Sequence, residues 1–600
     1  MKNGWIKVFA ASPEIRPGDC AHNTEKIISA AAIAAEKGAK LAVFPELCVT
    51  GSTCGDLFFQ DFLIKSAAES IEKIKEYSNN LDLLIIFGVP VKYFEKLYNC
   101  AIAVCKGNIL AAVPKTNLSA QELRYFSNYF PNNNTIVLRN KNLPDFMVGI
   151  EFGETFSNFS PNIVASLSAD SEIIGRAQRR REFIKSRSRG NICGYVLANA
   201  GKGESTTDMV FSGHNIIAEN GVILKQNKLF ENEPIISEID INALSSERQK
   251  NISFKPKSEN INIIEFSLPL TDTKLTRSYS MSPFVPKDPY ELKERCQLVL
   301  QIQAEGLKKR LKTTNSRRMI IGVSGGIDSA AALLAICDTA DSLSRPRSDI
   351  LALSMPCFGT SARTKSNAQK LCESLGVKFK EIDITESVRS HFSDIGQNEK
   401  VYDITFENSQ SRERTQVLMD TANKENGLVI GTGDLSELAL GWSTYNGDHM
   451  SMYGINSSVP KTLIRHIVKH YSYETKNQEL KNVLIEILDT PISPELLPSN
   501  EISQKTETII GPYELHDFFL YYTVRRGFSP AKILLLTEYA FNHKYSRKTI
   551  EKWQKMFYTR FFSQQYKRSC LPDGPTVGTV SLSPREGLKM PSDLEIIEIF

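Results

Sequence analysis

The octet Gly322-Val-Ser-Gly-Gly-Ile-Asp-Ser329 constrains this chain more than any other stretch. It follows the apolar run Arg318-Met-Ile-Ile321 and precedes the alanine-rich run Ala330 to Ile336, so it reads as a strand, a glycine turn and a helix start. Such a turn leaves backbone N–H groups bare at a helix N-terminus, where the helix dipole also favours negative charge, and makes a ready cradle for phosphate. A Walker-type loop carries a Lys before its final Ser or Thr, and here that position is Asp328. A carboxylate beside phosphates makes sense if it holds a cation, most simply Mg2+ bridging to pyrophosphate. The expected chemistry is cleavage of ATP between its α- and β-phosphates, with AMP passed to an acid or carbonyl oxygen. The alternative is an ordinary glycine turn with an N-capping Ser or Asp.

After the octet, strands and helices alternate: Asp349 to Met355, Thr364 to Leu375, Val377 to Ile382, Arg412 to Lys424, and Leu428 to Gly431. That order predicts a doubly wound parallel sheet, whose ligands sit past the carboxyl ends of the strands. At 600 residues the chain should hold at least two domains. Between about Lys255 and Pro289 the hydrophobic pattern fades and Pro, Ser and Thr gather, which predicts a domain connection. The expected division is residues 1–265, a linker 266–289, and residues 290–600.

Composition closes off some functions. A net charge of +4 carries no nucleic-acid footprint, and the Arg179-Arg180-Arg181 run reads as a solvated or ion-paired helix face. No run approaches the ~20 apolar residues of a membrane span, and the N-terminus has no apolar stretch of signal-peptide length. The eleven Cys form no CxxC pair, and several, such as Cys100, Cys105 and Cys193, sit in apolar runs. That predicts reduced thiols and a cytoplasmic protein.

In the first half, strands are expected at Ile6 to Ala10, Lys40 to Phe44, Ile85 to Val91, Phe146 to Ile150 and Ile163 to Leu167, with helices at Thr24 to Lys37 and Glu172 to Ser188. Cys100 to Cys105 and Ile109 to Val113 are joined by Lys106-Gly-Asn, a hairpin signal. Three of these runs end in Pro45-Glu46, Pro114-Lys115 and Glu151-Phe-Gly-Glu-Thr155, so a Glu, a Lys and a third position lie just past strand ends.

With Phe44-Pro-Glu-Leu-Cys-Val-Thr-Gly51 and Val113-Pro-Lys115, this half resembles the nitrilase, or carbon–nitrogen hydrolase, superfamily. The resemblance implies an αββα sandwich in which Glu46 is a general base and Lys115 stabilises an oxyanion, beside a Cys that attacks the amide carbon. A thiolate suits that role because it is nucleophilic near neutral pH. The segment that carries the Cys in the family has Gly153 at that position here. The stretch after the lysine, Thr116 to Phe126, also departs from the glutaminase members. The expectation is a retained fold without glutaminase activity. Glu46 and Lys115 then remain either as amidase positions or as a structural ion pair, and Ser157 is the candidate for a displaced nucleophile.

The octet resembles the pyrophosphate loop of the N-type ATP pyrophosphatases. The longer string Gly431-Thr-Gly-Asp-Leu-Ser-Glu-Leu-Ala-Leu-Gly-Trp-Ser-Thr-Tyr-Asn-Gly-Asp-His449 resembles the glutamine-dependent NAD+ synthetases, supported by Phe358 to Thr364, Glu407 to Arg414, Ser458 to Thr462, Pro491 to Leu497 and Gly511 to Asp517. The resemblance implies a Rossmann-like, adenine nucleotide alpha hydrolase-like domain. It places Gly322, Val323, Ser324, Gly325, Gly326, Ile327, Asp328, Ser329, Thr432 and Lys461 at ATP, and Asp328 and Glu437 at Mg2+. Asn408, Glu437, Trp442, Ser443, Thr444, Tyr445 and Lys567 are placed at deamido-NAD+. Trp442 and Tyr445 offer flat faces on which nicotinate or adenine can stack. The expected reaction is adenylylation of deamido-NAD+ followed by amidation to NAD+, releasing AMP and pyrophosphate. Ammonia would be free or supplied by a partner protein, in a homo-oligomer. The open alternatives are glutamine use through a displaced nucleophile, a first half kept only as assembly scaffold, and another ATP pyrophosphatase activity.

Overall fold

The structure, a computed structural model, describes all residues except 130–134, 155–159, 256–260, 360–361, 491–495, 498–505, 543 and 595–600. Ser157, and parts of the strings Phe358 to Thr364 and Pro491 to Leu497, lie outside the described residues. The chain forms two compact units, Met1–Ser278 and Tyr279–Phe600.

The first unit is built on two sheets. One has six strands in the order Ile235–Asp240, Trp5–Ala10, Leu41–Val43, Leu84–Tyr93, Lys96–Cys105 and Asn108–Pro114. The other has seven, in the order Val222–Gln226, Ile216–Glu219, Gly194–Asn199, Ile163–Ser168, Leu143–Phe152, Thr135–Asn140 and Ile261–Phe266. Strand residues alternate between faces. Ile6 and Val8 join Val148 and Ile163 in one buried cluster, while Phe9 and Phe44 join Ile27 and Ala31 of the helix Cys20–Glu36 in another. Ile184, on the helix Arg176–Gly190, packs with Val164 and Tyr195 of the second sheet. Helix, sheet, sheet, helix is the sandwich expected from the sequence.

The expected domain connection begins too early. The stretch read as featureless contains the strand Ile261–Phe266, paired in parallel with Thr135–Asn140. Beyond it, residues up to Arg277 still bind the first unit: Thr276 Oγ1 donates to Glu238 Oε1 at 3.0 Å and Arg277 Nη1 to Glu219 Oε2 at 3.0 Å. The arginine run is ion-paired, one of the two readings its sequence allowed. Arg180 is buried and pairs with Asp170 and Glu172, while exposed Arg179 pairs with Glu154.

The second unit carries a five-stranded, fully parallel sheet in the order Lys378–Glu381, Ile350–Ser354, Arg318–Gly322, Gly427–Gly431 and Tyr453–Gly454. The chain winds outward from Arg318–Gly322 in one direction, then returns to continue on the other side. The reversal opens a crevice between the carboxyl ends of Arg318–Gly322 and Gly427–Gly431, the usual ligand position in such sheets. The helix before the sheet, Pro289–Thr314, is capped by Asp288, whose side chain accepts from Tyr290 N and Glu291 N. No helix among the described residues is long and apolar enough to cross a membrane.

Candidate active sites in the two units

In the crevice, Gly325 takes a left-handed φ of +84°, and the chain turns directly into the helix Ile327–Ser342. Its N-cap is Gly326, which offers no side chain to the first-turn N–H groups and leaves them for a ligand. Ser324 Oγ accepts from Gly326 N at 3.2 Å, and Ser329 Oγ donates to Gly326 O at 3.0 Å. The loop is thus braced from both sides.

Opposite the loop stands Lys461, first residue of the helix Lys461–Glu474 and almost fully buried. Its Nζ lies 2.6 Å from Asp328 Oδ2, 2.6 Å from Asp434 Oδ2 and 2.9 Å from Glu437 Oε1. Burial opposes the charge on Lys461, but the three carboxylates outweigh it and hold the amine well above its usual range. Burial pushes the Asp434 carboxyl well above its ordinary value and Glu437 upward as well, against the pull of Lys461.

The sequence-read residues Asp328, Glu437, Thr432 and Lys461 are therefore together. Asn456 ties two of them, its Nδ2 donating to Asp328 O at 3.0 Å and Thr432 O at 3.1 Å. Gln303 Nε2 in turn donates to Asn456 Oδ1 at 2.9 Å. Asp434, Asn456, Gln303 and Asp517 were not singled out from the sequence. Asp434 caps the helix Leu435–Leu440 by accepting from Glu437 N at 2.8 Å, which alone would explain an Asp there. Asp517, fully buried, accepts from Ser436 Oγ and, at 2.6 Å, from Thr462 Oγ1, fixing the start of the Lys461 helix against the Asp434 helix.

The donor set fits a hard divalent cation. Carboxylate oxygens of Asp328, Asp434 and Glu437 all lie within 4.8 Å of one another. Asp328 Oδ1 is buried and accepts no hydrogen bond from the described residues, so a ligand atom is in reserve.

Beyond Glu437 the chain runs into the expected dinucleotide region. Thr444 Oγ1 donates to Asn408 Oδ1 at 2.8 Å, and Asp448 Oδ1 accepts from Thr444 N and Ser411 Oγ, both at 2.8 Å. The Tyr445 ring stacks on His449 at 5.3 Å and leans on Tyr566, while Arg560 lies over the Trp442 ring at 5.2 Å. Lys567 points inward. Its Nζ donates to Gly441 O at 2.9 Å and to Ser443 O at 2.7 Å, so here the amine holds the loop rather than facing outward. Burial lowers its pKa accordingly.

In the first unit, Glu46, Lys115 and Gly153 line one cavity of about 890 Å3. Lys115 Nζ lies 2.8 Å from Glu46 Oε1, which also accepts from Asn99 Nδ2 at 2.6 Å. The stretch after the lysine does reach the cavity: Glu122 Oε1 is 2.6 Å from Lys115 Nζ, and Tyr125 lines the wall. Sequence reading passed over Glu122 because its segment departs from the family pattern. Burial raises the pKa of Glu46, while Lys115 stays above its ordinary value because its two carboxylates outweigh burial. Gly153 has φ +52°, and among the described residues a Cβ built there would meet only Ser168 Oγ, at 3.9 Å. The described residues do not crowd a side chain out of that position, and none of those lining the cavity is a cysteine.

Gly88 sets Glu46 in place. A Cβ on it would come within 2.3 Å of Leu47 N and 2.6 Å of Glu46 Cα. Gly88→Ala is therefore expected to destabilise the first unit by about 1–3 kcal/mol, the range for overpacking, measured by denaturant unfolding. An unchanged midpoint would show that the turn gives way freely.

A glycine turn at a helix start beside clustered carboxylates, in a chain that also carries a nitrilase-type sandwich, is the arrangement expected of a carbon–nitrogen ligase. Comparison with known proteins agrees: an NAD synthase family profile matches residues 299–565 and a carbon–nitrogen hydrolase profile matches residues 8–155. A glutamine-dependent NAD(+) synthetase of Mycobacterium bovis is 37% identical over 656 aligned residues, covering 99% of this chain and 97% of that protein. The enzyme of the same name from Mycobacterium leprae is 36% identical over 98% of this chain and 96% of its own length, and that from Aquifex aeolicus is 25% identical over 93% and 94%. The chain belongs to the glutamine-dependent NAD(+) synthetase family.

Proposed function

We propose that the second unit makes NAD+ from deamido-NAD+, ATP and ammonia. A carboxylate resists ammonia because its oxygen is a poor leaving group. Attack of that oxygen on the α-phosphorus of ATP expels pyrophosphate and leaves an acyl adenylate, from which ammonia then displaces AMP. The observation that carries the reading is the Asp328–Asp434–Glu437 cluster at the start of the helix Ile327–Ser342, which has no side-chain cap and carries Asp328 in its first turn. Backbone N–H groups there would receive the departing pyrophosphate, and Asp328 and Glu437 would hold Mg2+, which supplies positive charge against it. Lys461 and Thr432 would complete the nucleotide site. Asn408, Trp442, Ser443, Thr444 and Tyr445 would receive the dinucleotide acid, with Lys567 shaping their loop.

The first unit supplies no amidase chemistry in this reading, because Gly153 stands where the nucleophile belongs and glycine cannot form an acyl-enzyme. Glu46, Lys115 and Glu122 persist as a paired cluster. Ammonia then comes from solution or from a partner protein in the cytoplasm, and the chain works as a homo-oligomer. The test compares NAD+ formation with ammonium and with glutamine. Turnover is expected with ammonium alone, and comparable turnover on ammonia-free glutamine would overturn the reading.

A further inference from the structure

Lys461 occupies the space that a divalent cation would need. Its ammonium is within 2.9 Å of all three residues whose carboxylate oxygens gather within 4.8 Å of one another. An ammonium at hydrogen-bond distance from each of them leaves no room for a metal ion among the same oxygens. We propose that Lys461 is the resident counter-ion of this seat, holding the three carboxylates together in the ligand-free chain and giving up its place to the divalent cation that enters with the nucleotide.

The seat is asymmetric in the way such an exchange requires. Asp434 is completely buried, and its other oxygen is tied to Glu437 N, so it stays where it is. The side chains of Asp328 and Glu437 are 22% and 23% exposed and form the side that solvent reaches. Lys461 cannot leave by moving its backbone, since its N–H donates to Ser436 Oγ at 2.8 Å and the next residue is bound to Asp517. Only the side chain can turn. In the seat the amine already lies 5.1 Å from the Tyr513 ring, which flanks it on one side. The exchange also sets an order of binding. A cation arriving alone must displace the ammonium with nothing to receive it, whereas one arriving with ATP brings phosphates that take up the freed charge.

The experiment titrates Mn2+, used as the probe ion, into the full chain without nucleotide, following free Mn2+ by electron paramagnetic resonance and stability by thermal unfolding. Wild type is expected to bind weakly. Lys461→Met, with the seat vacated and the carboxylates unneutralised, is expected to bind roughly tenfold tighter or more and to gain unfolding temperature with added Mn2+. If that variant does not fold, Lys461→Met/Asp434→Asn removes one charge of each sign and should still bind more tightly than wild type. Asp434→Asn alone keeps the amine in place and should gain nothing. The proposal is overturned if both Lys461 variants bind Mn2+ no better than wild type, or if wild type already binds it as tightly as they do. The proposal rests on the synthetase reading only for the nucleotide, and because no NAD+ is made in this titration, its failure is separate from a failure of the ammonium assay.

Discussion

Asp328→Asn is expected to lower ammonium-driven NAD+ formation on the order of 10^3-fold, comparable to losing a main electrostatic contact in a transition state. The substitution keeps size and removes charge. Lys461 retains Asp434 and Glu437 as partners, and the Asp328 side chain is partly exposed, so the fold should survive nearly unchanged. The loss should appear equally in the exchange of labelled pyrophosphate into ATP, because both assays pass through departure of pyrophosphate. A rate within tenfold of wild type, on folded protein, would remove Asp328 from the chemistry. Glu437→Gln should behave alike, whereas a residue that merely braces the crevice would alter unfolding first.

The second large effect lies in the first unit and concerns stability. Glu151 is buried at the end of the strand Leu143–Phe152, 2.5 Å from Arg187 Nη2 and accepting from Tyr195 OH at 3.1 Å. Arg187→Met takes this cation from a buried carboxylate, and removing one partner of a buried pair costs about 3–5 kcal/mol. Replacing both partners, Arg187→Met with Glu151→Leu, should recover most of the loss, since apolar substitutes of similar volume are often neutral. Denaturant midpoints of the single and double variants decide this. Equal midpoints for the single variant and wild type would mean that water reaches Glu151.

The glycine loop was legible because everything that makes it is local: an apolar run, three glycines and an alanine-rich helix start all lie between Arg318 and Ile336. Glu46, Lys115 and Gly153 could be brought together from sequence because strand ends of a sandwich converge. Asp434 was hidden by its second task, because an Asp before a short helix is adequately explained as a cap. Asn456 and Gln303 were hidden by distance, their partners lying up to 153 residues away with no periodic signal between them. The strand Ile261–Phe266 was lost for another reason. Most of its residues are half-buried or exposed, so it shows too little alternation to stand out from a linker. Helix starts drifted in the same way: Ile404–Glu425 begins eight residues before the apolar pattern does, at a cap supplied by Asp403.

The helix Leu435–Leu440 holds Glu437 and is only six residues long, too short to persist without support. That support arrives late in the chain. Arg560 donates to Leu440 O, Arg568 to Leu438 O and Ala439 O, and Lys567 to Gly441 O and Ser443 O. A growing polypeptide on the ribosome therefore completes its glycine loop some 240 residues before the residues that steady Glu437 have been made. A chain interrupted before Arg560 would thus keep the glycine turn of Gly322 to Ser329 while lacking the side chains that steady the helix of Glu437.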